Sequence, residues 1–108
     1  NCSIMSKGVA RLGDTTSGTC YHPSHLVPIS VTGTITSASS TYIVNGRGAA
    51  RLDDQVTTSC GHTDYINSAS GTCIADPKPV ARLGDTVGKN GIYIATITSA
   101  SGDVIADG

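Results

Sequence analysis

Apolar and polar residues alternate most regularly in two stretches, Val31-Thr-Gly-Thr-Ile-Thr36 and Ile92-Tyr-Ile-Ala-Thr-Ile97. A period of two sends successive side chains to opposite faces of a strand. Both stretches are rich in β-branched residues, which suit a pleated, half-buried surface. The helical period appears nowhere over a useful length. Turn pairs punctuate the pattern: Asn45-Gly46, Asp107-Gly108 and, at the same place in a middle unit, Asp76-Pro77. The pattern predicts an all-β chain of short strands joined by tight turns.

The same pattern recurs at a fixed interval. The stretch from Ile35 to Asp54 (ITSASSTYIVNGRGAARLDD) returns without a gap from Ile66 to Asp85 (INSASGTCIADPKPVARLGD), 31 positions later. A third copy begins 31 positions further on, at Ile97, and runs to Gly108. Its missing second half reads at the other end of the chain, from Lys7 to Asp14 (KGVARLGD). The chain is therefore one domain over residues 1–108, made of three units opened at one point, and repeated units that share a core are expected to stack or ring together. Three such units imply pseudo-threefold symmetry, and a monomer of that kind can cap a threefold partner by meeting each of its subunits in about the same way.

Composition fits this picture. With 108 residues the chain buries roughly two-thirds of its unfolded surface, and its core must be built without Phe or Trp and with only four Tyr. The net charge is −1 and 14% of residues are charged, so no basic patch marks a nucleic-acid binder. No apolar run approaches the roughly 20 residues of a membrane span. The first residues lack the apolar stretch of a signal peptide, so export is expected only as cargo of a machine.

Four cysteines (Cys2, Cys20, Cys60, Cys73) and three histidines (His22, His25, His62) carry the candidate chemistry. An even cysteine count allows disulfides, but interleaved Cys and His without a secretory signal favour a metal site. The loops between each unit's motif and its next strand are unequal: 12 positions from Asp54 to Ile66 and from Asp85 to Ile97, but 21 from Asp14 to Ile35. The extra residues hold Cys20, His22 and His25, while the second loop holds Cys60 and His62. Repeat symmetry places both loops at one end. Cys2 and Cys73 share a repeat position with Tyr42 and Val104 and read as strand or core residues, a Cys2–Cys73 disulfide being the alternative. The repeated pairs Arg11/Asp14, Arg51/Asp54 and Arg82/Asp85 read as structural salt bridges or turn caps.

Three segments, Ala10-Arg-Leu-Gly-Asp14, Ala49-Ala-Arg-Leu-Asp-Asp54 and Pro79-Val-Ala-Arg-Leu-Gly-Asp85, resemble the Pro-Ala-Ala-Arg-x-Gly-Asp motif of the PAAR-repeat proteins. Asn45-Gly46 ahead of the second resembles that motif's usual context. The departures (Gly8-Val9 for Pro-Ala in the first, Gly48 for Pro and Asp53 for Gly in the second, Val80 for Ala in the third) spare the Arg and the final Asp every time. The resemblance implies a small cone with pseudo-threefold symmetry that caps the trimeric β-helical spike of a phage tail or type VI secretion system. It implies binding to the spike through the cone's base, transient contact with the target envelope during puncture, and a location at a virion tail tip or in a contractile secretion apparatus. By itself the chain is expected to be a monomer and not an enzyme. It also implies a metal near the vertex held by three His and one Cys. On this sequence that set is His22, His25, His62 and Cys60, with Cys20 as the alternative sulfur. Zinc is the expected ion, with a structural role, although imidazole ligands suit iron too.

Two other readings compete. His22, His25 and His62 could hold a hydrolytic zinc and its water, but the chain has no Glu, and Asp64 is the one carboxylate near the second ligand pair. A disulfide-stapled secreted β domain is the third reading.

Overall fold

The computed structural model describes residues 7–23, 26–70, 74–75, 78–101 and 105–106. His25, Cys2, Cys73, Val104 and the turn pairs Asp76-Pro77 and Asp107-Gly108 lie outside them. Among the described residues every element is a strand. In chain order these are β1 (Lys7–Gly8), β2 (Thr15–Cys20), β3 (Ile29–Ile35), β4 (Ile43–Val44), β5 (Arg47–Gly48), β6 (Gln55–Thr58), β7 (Thr63–Tyr65), β8 (Ile74–Ala75), β9 (Lys78–Pro79), β10 (Thr86–Val87), β11 (Tyr93–Ile97) and β12 (Ile105–Ala106). Both alternating stretches are strands: β11 buries Tyr93, Ala95 and Ile97 and turns Ile94 and Thr96 outward.

The sheet topology realises the repeat. Three antiparallel hairpins, β2–β3, β6–β7 and β10–β11, form one six-stranded sheet in the order β10-β11-β2-β3-β6-β7. A bridge between Ile66 and Val87 joins its two edges, so the sheet is nearly closed. Three two-stranded ladders precede the motifs: β4–β5, β8–β9, and β12 with β1, where the two ends of the chain complete one unit together. Asn45 and Gly46, with φ of 53° and 78°, make the turn between β4 and β5, the conformation an Asn-Gly hairpin favours.

The three motifs meet at the centre. Ala10 N–H donates to the Ala81 carbonyl (3.0 Å), Ala81 N–H to Ala50 (2.9 Å) and Ala50 N–H to Ala10 (2.9 Å). This closed cycle marks the pseudo-threefold axis, and all three alanines are fully buried. On one side Ile35, Ile66 and Ile97, one from each unit, fill the six-stranded ring with Val56, Val87 and Tyr93. Each such buried aliphatic side chain contributes about 1.5–3 kcal/mol. Thr16 stands in the ring where the other units have Val56 and Val87, and its buried hydroxyl meets the Tyr93 hydroxyl at 2.9 Å. That bond gives Tyr93, the largest fully buried side chain among the described residues, a polar partner. Val9, Val44, Ala49 and Val80 form a second, smaller cluster, against which Tyr42 packs.

Each motif then turns sharply. The Asp N–H donates back to the Arg carbonyl three residues earlier (Asp14 to Arg11, Asp54 to Arg51, Asp85 to Arg82), at 2.9–3.0 Å. The third turn residue has positive φ: Gly13 87°, Asp53 72°, Gly84 85°. Such a turn favours glycine, so Asp53 is the strained member of the set.

Candidate metal centre

Each motif aspartate is the hub of a repeated network. The Arg11 side chain reaches Asp14 through Nε at 2.8 Å and through Nη2 at 3.0 Å, while the Arg11 N–H donates at 2.8 Å. Arg51 with Asp54 and Arg82 with Asp85 repeat this geometry. Ser37, Ser68 and Ser99 each add a hydroxyl, to Asp54, Asp85 and Asp14 respectively, at 3.0–3.1 Å. Burial alone would raise the Asp14 pKa, but Arg11, Ser99 and the Arg11 N–H outweigh it and hold the carboxyl below its ordinary value. Every oxygen faces a structural donor, so these repeated pairs are the salt-bridged turn caps expected from sequence.

The chemistry gathers elsewhere, where the hairpins turn. The β2–β3 hairpin is the longest, and its register runs to Cys20 opposite Ile29. Cys20 also pairs with Tyr93 of β11, which fixes its backbone on both sides and buries it completely. The β6–β7 hairpin turns through residues 59–62. There Gly61 N–H donates to Thr58 O at 3.0 Å and His62 N–H to the Thr58 hydroxyl at 3.0 Å. This turn carries Cys60 and His62 to the end of β2. Cys20 Sγ and Cys60 Sγ lie 3.8 Å apart, and His62 Nδ1 lies 3.3 Å from the first and 3.5 Å from the second.

Those distances fit a tetrahedral ion. With metal–sulfur bonds of about 2.3 Å and a metal–nitrogen bond of about 2.05 Å, tetrahedral angles set S···S at about 3.8 Å and S···N at about 3.6 Å. The three donor atoms sit on such edges, so Cys20, Cys60 and His62 could hold a metal ion. Burial pushes the Cys20 thiol pKa up, whereas the Thr58 hydroxyl, 3.1 Å from Cys60 Sγ, holds the Cys60 thiol below its usual value. Of the pair, Cys60 is the readier thiolate.

The four residues expected from sequence fare differently. Cys60 and His62 are in the cluster. His22 lies alongside, its ring stacked on His62 with centroids 3.7 Å apart and 7° between planes. His25 is outside the described residues. Cys20, expected as an alternative to Cys60, stands with it. Both sulfurs were legible as candidates, but spacing alone does not show that strand register turns Cys20 toward the second loop.

The third loop is held differently. Asp64, fully buried, accepts from the N–H groups of Asn90 (2.8 Å), Ile92 (2.8 Å) and Tyr93 (3.0 Å), and from its neighbour Tyr65 (2.8 Å). The carboxylate nearest the second ligand pair in sequence is thus spent on backbone, and among the described residues no carboxylate joins the sulfur–imidazole cluster.

A search among curated proteins returned no match. A family model for the PAAR motif matches residues 27–95, from β3 through the second and third motifs into β11. With that match, the threefold cycle of motif alanines and an all-β ring, the chain belongs to the PAAR motif family.

Proposed function

We propose that this protein is the tip of a contractile injection spike, of a phage tail or a type VI secretion system, and that it caps a trimeric β-helical spike and helps it puncture an envelope. The observation that carries this reading is the closed cycle Ala10–Ala81–Ala50, which arranges three equivalent units around one axis. A trimeric partner needs three equivalent contacts, and a single chain with this axis supplies them. The docking face is the end bearing β4–β5, β8–β9 and β12–β1, away from the hairpin loops. Ile43 and Ile74 hold equivalent register positions there and are about half exposed, giving small apolar contacts beside short strand edges.

At the loop end a structural zinc joins the first two hairpins. Cys20, Cys60 and His62 supply three donors, and one histidine of the long loop, His22 or His25, supplies the fourth. This set differs from the one expected from sequence by taking Cys20 in place of one histidine. A closed four-donor site leaves no position for a catalytic water, and Asp64 has no freedom to act as a base, so the role is architectural and not enzymatic.

Two measurements test the reading. Native mass spectrometry of the protein mixed with a trimeric β-helical spike should show one chain per spike trimer; Ile43→Asp with Ile74→Asp should abolish the complex, and a wild-type chain that ignores the spike sinks the capping role. Elemental analysis should find one zinc per chain, lost in Cys20→Ala, Cys60→Ala and His62→Ala. Of His22→Ala and His25→Ala, only the variant lacking the fourth donor should lose it. Wild-type protein purified without metal would remove the zinc.

A further inference from the structure

Cys20 and Cys60 are both thiols, 40 positions apart in sequence, with Sγ atoms 3.8 Å from each other. The metal reading uses that separation as one edge of a tetrahedron. The same approach also nearly satisfies a covalent bond, because a disulfide needs its sulfurs at about 2.05 Å, a closure of about 1.8 Å. Cys60 sits in a four-residue turn and is half-buried, while Cys20 ends a strand and is fully buried. Cys60 is therefore the sulfur nearer solvent, and Cys20 is the one held on both sides by strand pairing.

We propose that Cys20 and Cys60 form a redox-active dithiol that closes to a disulfide once the metal is gone, so that a covalent bond takes over the joining of the first two hairpins. The oxidant is a small-molecule disulfide, RSSR. The Cys60 thiolate attacks one sulfur of RSSR, forming a Cys60–SR mixed disulfide and breaking the RS–SR bond. The departing RS⁻ takes up the proton given by Cys60. The Cys20 sulfur then attacks Cys60 Sγ, the Cys20–Cys60 bond forms, and the second RS⁻ leaves with the proton from Cys20. Two protein thiols are oxidised and one RSSR is reduced to two RSH. The order follows access: an external disulfide reaches half-buried Cys60, and buried Cys20 resolves the adduct from within. A metal holds thiolates in a reducing compartment, whereas a disulfide persists in an oxidising one. The pair can thus keep the loop end joined in either.

The inference shares its donors with the metal reading and deepens it, yet the two can fail separately. The full chain, stripped with a chelator and assayed for residual metal, is incubated with oxidised glutathione, alkylated and mapped by peptide mass spectrometry. The expected result is a linked Cys20–Cys60 peptide, loss of both thiols together, and a higher melting temperature than the reduced, stripped protein. Metal-loaded protein should form the link far more slowly. Cys20→Ser should trap a lasting glutathionyl adduct on Cys60, and Cys60→Ser should leave Cys20 largely unmodified. Wild-type protein that keeps both residues as alkylated thiols overturns the proposal, as does a link from either to Cys2 or Cys73. If metal never binds but the link forms, the dithiol stands and the zinc reading falls; if metal binds and the stripped thiols stay apart, only the dithiol falls.

Discussion

At the motif end, three alanines, three arginine–aspartate turns and three serine hydroxyls repeat the same contacts around one axis. At the loop end each connection is held by its own device: the first two meet at a sulfur–imidazole cluster, and the third hangs on the carboxylate of Asp64. Repeated contacts keep one geometry true three times over, and damage to one leaves two. Unique contacts let the loops differ in length and content, but each has no substitute. Symmetry sits at the motifs, and individuality sits at the hairpin loops.

The sharpest way to break this comparison is to cut one spoke of the symmetric end. Arg82 and Asp85 are both nearly buried, so Arg82→Ala leaves a buried carboxylate short of its charge partner and should cost about 3–5 kcal/mol in urea unfolding. Arg11→Ala should cost clearly less, because Arg47 Nη2 also lies 3.3 Å from Asp14. Equal losses would show that the Arg47 contact does not compensate for the missing guanidinium. At the other end, Asp64→Asn turns an amide donor toward backbone N–H groups and should cost about 2–3 kcal/mol, with faster hydrogen exchange confined to residues 88–93.

A smaller effect concerns pH. The Asp14 pKa in the folded state lies below its unfolded value, so its contribution is present above the ordinary aspartate range and is lost as pH falls through the folded value. Melting temperature followed from neutral pH down to about pH 2 should therefore fall less steeply in Asp14→Asn than in the wild type. The smallest effect repairs a flaw in the symmetry. Asp53 holds φ of 72° where its counterparts are Gly13 and Gly84, and its ion pair with Lys89 is exposed and worth little. Asp53→Gly should be neutral to stabilising by about 0.5–1 kcal/mol; a loss would mean the Lys89 contact matters more than the strain.

The symmetric end was almost wholly legible in the sequence. The 31-residue interval, the Arg and Asp of each motif and the alternation of Ile92 to Ile97 carry it, because backbone turns and buried faces follow directly from residue type and period. The role of Ser37, Ser68 and Ser99 is not legible there, although they stand at the same place in every unit; nothing in a serine's spacing says which carboxylate it will face. The loop end was legible only as a set of donors. That Cys20 joins Cys60 depends on the register of β2 against β3 and β11, and that Asp64 serves backbone instead of metal depends on how the third loop folds over β7. Both are long-range facts that no local pattern encodes.

The pairing of Lys7–Gly8 with Ile105–Ala106 stands in the ring where Ile43–Val44 meets Arg47–Gly48. A tight turn at Asn45-Gly46 connects the second pair, whereas the first pair joins strands from opposite ends of the sequence order. The described strands thus close a ring in space that the chain order opens at one of three similar places. A circular permutant opened between Asn45 and Gly46, with a short linker joining the segments beyond Ala106 and before Lys7, should close the same ring with the order of its units rotated by one.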